Sequence, residues 1–274
     1  MLPTQKILWG EGLFLRPQHF QQQDAYHEWR LAQYARALHP HAWGIRHIKI
    51  DADALQTGVL RILELQVIFP DGEMFNAPGE DQLPDPVQIQ SCLPDTDVNE
   101  VVLHLALPPI RRHGSNYSTG RDDADLGVRY FKHHIEAPDA FTDAVSAELT
   151  VLQKSVRILA DHEPRAHLVT VPALRLRRTA SGQFEQDGRF IPPGLSLQAS
   201  PALLLHLRRL LDILQAKVDA LYGLHREPSK NIIEFRSGDV ASFWLLHTAS
   251  AASAGLSHFL RNPGLHPERL FQSL

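Results

Sequence analysis

Cysteine is nearly missing from this sequence: Cys92 is the only one among 274 residues. A disulfide within the chain is therefore impossible, which fits a reducing compartment and an expectation of a cytoplasmic protein. The opening residues lack the charged, apolar and small-residue pattern of a secretory signal. No long hydrophobic run exists either. The most apolar window, Ala241 to Leu256, is broken by His247, Thr248, Ser250 and Ser253, so no direct membrane insertion is expected. An excess of either charge is also wanting, with a net charge of -4. That balance gives no general reason to expect nucleic acid, and the basic spots at Arg111-Arg112 and Arg175 to Arg178 read as solvated faces.

Catalytic signatures are absent too. The sequence contains no G-x-x-x-x-G-K, G-x-G-x-x-G, H-E-x-x-H or G-x-S-x-G. Gly10-Glu11-Gly12 imitates half of a nucleotide loop but follows no strand-and-helix unit, so it reads as a flexible joint. The 16 histidines are scattered. His39/His41 and His133/His134 sit closest together, without the Cys, Asp or Glu needed to complete a metal-ligand spacing. Asp122-Asp123 and Asp161/Glu163 read as solvated pairs. The expectation is no cofactor, no metal and no enzymatic activity.

What the sequence has is concentrated at its start. Ile7-Leu8-Trp9-Gly10-Glu11-Gly12-Leu13-Phe14-Leu15-Arg16-Pro17-Gln18-His19-Phe20-Gln21-Gln22-Gln23 begins as an apolar, aromatic arm and passes at Pro17 into a helix. Proline suits a first helical position, because its missing amide would be unpaired there anyway. So much bulky apolar surface where most chains fray must be covered, either by the protein's own core or by a partner. Within the arm, Trp9, Leu13, Phe14, Leu15 and Phe20 are the expected interface contacts, with Arg16 and His19 supplying directional hydrogen bonds. The helix is expected over Pro17 to Leu38, with Phe20, His27, Leu31, Tyr34 and Leu38 on one stripe.

From Trp43 to Ile191 the apolar period falls to two. Strands are expected at Ile45–Ile50, Leu60–Phe69, Glu100–Leu107, Val128–Ile135, Leu149–Val151, Ser155–Leu159, Leu168–Val171 and Leu174–Arg178. Their density and turn-rich spacing describe a sandwich or barrel. Hairpins are expected at Pro70-Asp71-Gly72 and Ser181-Gly182. The long stretches Asn76 to Pro94 and Arg111 to Asp125 read as functional or mobile loops. Beyond Pro192-Pro193-Gly194, Ser200 caps a helix running to about Leu224. Its seam of Leu203, Leu207, Leu210, Leu214, Leu221 and Leu224 predicts either an intrachain helical core or an oligomer interface. Asp239 is expected to cap a second helix, ending near Arg261, whose small residues from Ala249 to Gly255 would admit a close neighbour. A third, starting at His266-Pro267, has no stop signal and points to truncation.

The opening signature, together with Phe69-Pro70-Asp71-Gly72, Arg189-Phe190-Ile191-Pro192-Pro193 and Pro263-Gly264-Leu265-His266-Pro267-Glu268, resembles the TssK (ImpJ, VasE) family of type VI secretion baseplate subunits, over the whole chain. The resemblance implies an α+β multidomain fold. Residues 1–40 would form the arm and helix, 41–195 a β-sandwich shoulder similar to phage receptor-binding proteins, and 196–274 a truncated helical neck whose C-terminal head is absent. It also implies a homotrimeric adaptor joining the TssG, TssF and TssE wedge to the TssJ, TssL and TssM membrane complex. The latter contact would belong to the absent head. The alternative is a ligand- or carbohydrate-binding β-sandwich using the two long loops.

Overall fold

The computed structural model describes residues 4–95, 98–119, 127–142, 145–226 and 237–274, and its chain divides into two compact units, Met1–Asp187 and Gly188–Leu274. Asp122, Asp123, the far half of the Arg111 to Asp125 loop, the connector after Arg226 and the side chains of Leu224 and Asp239 lie outside the described residues.

In the first unit, helix α1 (Pro17–Leu38) follows the arm. Among the described residues, twelve short strands then occupy the segment in which the apolar period is two. β1 (Gly44–Ile50), β3 (Ile62–Ile68) and β4 (Met74–Ala77) form one antiparallel sheet, with β3 in the middle. A second sheet has the order β10, β6, β11, β12, built from β6 (Glu100–Leu107), β10 (Arg157–Ala160), β11 (Val169–Arg178) and β12 (Phe184–Gln186). The pair β2 (Val59–Leu60) and β5 (Val87–Gln88) is a small third sheet. The fourth joins β7 (Tyr117–Ser118), β8 (Tyr130–Ala137) and β9 (Ala147–Lys154), and its β7–β8 pairing is parallel.

The two strands expected at Leu168–Val171 and Leu174–Arg178 are one strand, β11, interrupted by a bulge between Pro172 and Leu174. Proline cannot donate to a ladder, so an interior strand accommodates it at a bulge. A five-residue helix that periodicity missed, α2 (Ala52–Gln56), begins where the Asp51 carboxylate accepts the Asp53 and Ala54 amides. Both expected hairpin turns are present. Gly72 (φ 94°) and Gly182 (φ 82°) supply the left-handed backbone that each turn requires. The Asn76 to Pro94 stretch is anchored at intervals, with Ala77, Asp81, Ile89, Cys92 and Leu93 buried and the residues between them mostly exposed.

In the second unit, α3 (Pro201–Arg226) and α4 (Ser237–Arg261) pack together, and α5 (Pro267–Phe271) closes the group. Ser200 caps α3 as its sequence position predicts, its hydroxyl accepting the Leu203 amide at 3.3 Å. The segment before α3 is tied to the helices: the Leu197 and Gln198 amides donate to the Leu265 and Pro263 carbonyls. Helix α4 already starts at Ser237, ahead of the expected cap. Only Ala249 and Ser253 of its small-residue stretch are buried, while Gly255 faces open space.

Candidate protein-interaction surface

Gly12, with φ at 77°, turns the arm back on itself, and the Leu13 amide donates to the Gly10 carbonyl. The Trp9 ring consequently lies 6.1 Å from His19 and 6.4 Å from Phe20, over the first turn of α1. His19 is a local fastener: its Nδ1 accepts the Arg16 amide at 3.0 Å, satisfying one of the donors a helix start leaves open. The arm's remaining apolar surface is not taken into this chain's core. Phe14 is 80% exposed, Leu15 54%, Phe20 53%, Trp9 47% and Leu13 38%. Apolar exposure grouped in one segment is the kind of patch that interaction surfaces use.

Helix α1 extends the same surface. Its expected apolar stripe does not pack inward, for Phe20, His27, Leu31, Tyr34 and Leu38 are all exposed. The helix is held by a different line of residues. Ala32 is its one buried position, and it sits so close to the β3–β4 turn that a Cβ on Gly72 would come within 2.9 Å of the alanine Cβ. Four residues on, the Arg36 guanidinium donates to the Pro70 carbonyl at 2.8 Å. A short side chain toward the body and bulky ones away from it are the reverse of an ordinary core-facing helix.

Beneath that turn lies a buried charge network that the sequence did not disclose. Arg129, 1% exposed, forms ion pairs with Asp71 and Glu73 at 2.8 Å each and donates to the Pro108 carbonyl at 2.7 Å. The Tyr130 hydroxyl donates to Glu73 at 3.1 Å, and Lys154 pairs with buried Asp81 at 3.2 Å. Burial opposes the charge on Arg129, but Asp71 and Glu73 outweigh it and hold the guanidinium pKa above its ordinary value. Glu28 of α1 faces the same region. Partial burial raises its pKa, and the nearby carboxylates of Glu73 and Asp24 raise it further. The signal available beforehand was Asp71-Gly72-Glu73, two carboxylates flanking a tight turn, but their partner lies 56 or more residues away.

A cavity of about 520 Å³ opens between the arm, α1 and the loop that follows β6. Arg111, Arg112, His113, Glu28 and the side-chain amides of Gln21 and Gln22 line it. Among the described residues, no group of three or more His, Cys, Asp and Glu is placed to hold a metal ion.

The leucine seam of α3 meets its own chain. Leu207 is buried in a cluster with Leu197, Leu211, Leu256, Phe259 and Leu270, and Leu203, Leu210 and Leu214 pack half-buried against it. Leu221 is buried as well. The face that α3 and α4 turn outward carries Ile213, Tyr222, Phe243 and Trp244, each more than half exposed.

Residues 19–274 match the family described as bacterial type VI secretion, VC_A0110, EvfL, ImpJ, VasE. The type VI secretion system baseplate component TssK1 of Pseudomonas aeruginosa PAO1 is 30% identical over 98% of this chain and 59% of its own length. The chain belongs to the TssK (ImpJ, VasE) family. This is a family of structural baseplate proteins and not of enzymes. The chain thus spans 59% of the length of its matched TssK relative. Among solved structures it is similar to a chain of the TssK-TssF-TssG baseplate subcomplex, with a TM-score of 0.86 and 32% identity over 98% of this chain and 85% of that one. Crystalline TssK also gives 0.86, at 27% identity over 98% of this chain and 59% of that one. The TssK fold is therefore a mixed α+β one, several largely antiparallel sheets followed by helices. No helix among the described residues is long and apolar enough to cross a membrane.

Proposed function

We propose that this TssK-family chain is a baseplate adaptor of a type VI secretion machine, whose β-sandwich shoulder and arm dock on the wedge, chiefly on TssG with TssF and TssE nearby. The observation that carries the reading is the outward display of Trp9, Leu13, Phe14, Leu15 and Phe20 beside Arg16, on a helix that keeps its own apolar stripe exposed. A relative of similar fold was solved as part of a TssK-TssF-TssG subcomplex, which supports this choice of partner. The arrangement supplies what a contact surface needs: aromatic anchors for desolvation and a turn that holds them in position before a partner arrives.

The proposed assembly state is a homotrimer. Leu207 and Leu221 hold the helical unit together from inside, so contacts between copies draw on the half-buried Leu203, Leu210 and Leu214 and on the outward Ile213, Tyr222, Phe243 and Trp244.

The test is a pull-down with TssG. Replacing Trp9 and Phe14 together by alanine is expected to leave the protein soluble and its melting temperature within a few degrees of the parent, and to abolish TssG recovery. Full recovery by the double variant would sink the reading.

A further inference from the structure

Next to the arm lies a cavity whose lining is largely polar. In sequence, Arg111-Arg112 reads as a solvated basic spot. In the fold, that pair and His113 form one wall of the 520 Å³ cavity, facing Gln21, Gln22, Ala25 and Glu28 of α1. The wall is fixed in place. The Arg111 amide donates to the Asn116 side-chain oxygen at 2.8 Å, Asn116 Nδ2 donates back to the Arg111 carbonyl at 2.9 Å, and Arg111 Nη2 donates to the Gly127 carbonyl at 2.8 Å. Arg111 is thereby occupied. Arg112 and His113 are exposed and form no ion pair among the described residues.

We infer that this cavity receives an extended, carboxylate-bearing segment of a partner protein. Arg112 and His113 pair with its acidic side chain, and the amides of Gln21, Gln22 and Gln5 bond to its backbone. A guanidinium is suited to a carboxylate because its planar fork matches the two oxygens. Side-chain amides both donate and accept, which fits them to the alternating groups of an extended chain. Glu28 argues against a polyphosphate: a carboxylate in the cavity wall repels dense negative charge more than a single carboxylate. Gln21, Gln22, Ala25 and Glu28 share the face of α1 that lines the cavity, a different face from the one that displays Phe20.

This inference deepens the wedge-docking reading and rests on it for the partner's identity. Its probe is a fluorescein-labelled dodecapeptide of alternating Glu and Gly, followed by anisotropy on the whole chain in low salt. A Lys-Gly dodecapeptide and a single-stranded DNA dodecamer serve as comparisons. The wild type is expected to bind the glutamate peptide in preference to both. Charge reversal at Arg112→Glu with His113→Glu should weaken that binding about tenfold or more, since an ion pair is replaced by repulsion. Glu28→Gln, which removes the carboxylate that stands in the cavity wall, should tighten it by a few fold. Failure of the wild type to bind, equal binding by the reversed variant, or equal binding of the lysine peptide or the DNA overturns the inference. Capture of TssG separates the two ideas. If the Trp9/Phe14 variant loses TssG while the Arg112/His113 variant keeps it, docking stands and the acidic segment is excluded as a determinant. If the Trp9/Phe14 variant keeps TssG, docking falls, and the peptide titration still decides the cavity.

Discussion

The residue on which the candidate surface depends is Arg129. It is buried beneath the β3–β4 turn and answers both acidic side chains that flank Gly72, so the turn on which α1 rests is pinned from below. Removing it takes from Asp71 and Glu73, side chains only 15% and 13% exposed, the guanidinium they share, and leaves Glu73 the more distant Lys154 ammonium at 3.9 Å. Loss of one partner from a buried pair costs about 3–5 kcal/mol. Arg129→Met should therefore lower the urea midpoint by that order, and Arg129→Lys should recover only part, because an ammonium lacks the fork that serves Asp71, Glu73 and the Pro108 carbonyl together. A midpoint unchanged in Arg129→Met would show that the network contributes nothing. The sequence showed the two carboxylates and the arginine but not their meeting, since a separation of 56 residues leaves no periodic trace.

At the scale of elements, α1 shows how a correct assignment leaves the facing of a helix open. Its bounds, Pro17 to Leu38, were legible from the proline and from the His39-Pro40 stop. Its facing was not. The apolar stripe fits a core or a partner equally well, and in the fold the helix rests on Ala32 and Arg36 and exposes Leu31, Tyr34 and Leu38. The contact tolerates no enlargement. A side chain at Gly72 meets both the unfavourable positive φ and the Ala32 Cβ at 2.9 Å. Gly72→Ala is expected to cost about 1–3 kcal/mol from backbone strain. It should also lift α1, read as faster amide exchange across residues 20–36 with the second sheet unchanged. Exchange in α1 that matches the parent would refute this account of its docking.

For the whole molecule, the seam of α3 offered two uses that period alone could not separate. A stripe with a repeat of three and four fits a helix of the same chain or of another copy equally well. The fold assigns Leu207 to an intrachain cluster with α4 and α5, so Leu207→Ala should destabilise the helical unit by about 2–5 kcal/mol. The solution mass is a separate matter. Sedimentation is expected to give three times the chain mass for parent and Leu207→Ala alike while the variant remains folded, and a bound complex when TssG is added. A monomer that ignores TssG would overturn the proposed assembly. What this sequence determined by itself were features written in neighbouring residues: the helix start at Pro17, the turns at Gly72 and Gly182, the two-residue period of the strands and the signature shared with the TssK family. Each rests on local backbone energetics or on a run of contiguous side chains. Only the tertiary structure decided which apolar faces are covered, which charges are paired, and that a basic dipeptide in a loop lines a cavity against α1. Those outcomes depend on contacts between distant segments, and burial, unlike periodicity, is a property of the packed chain.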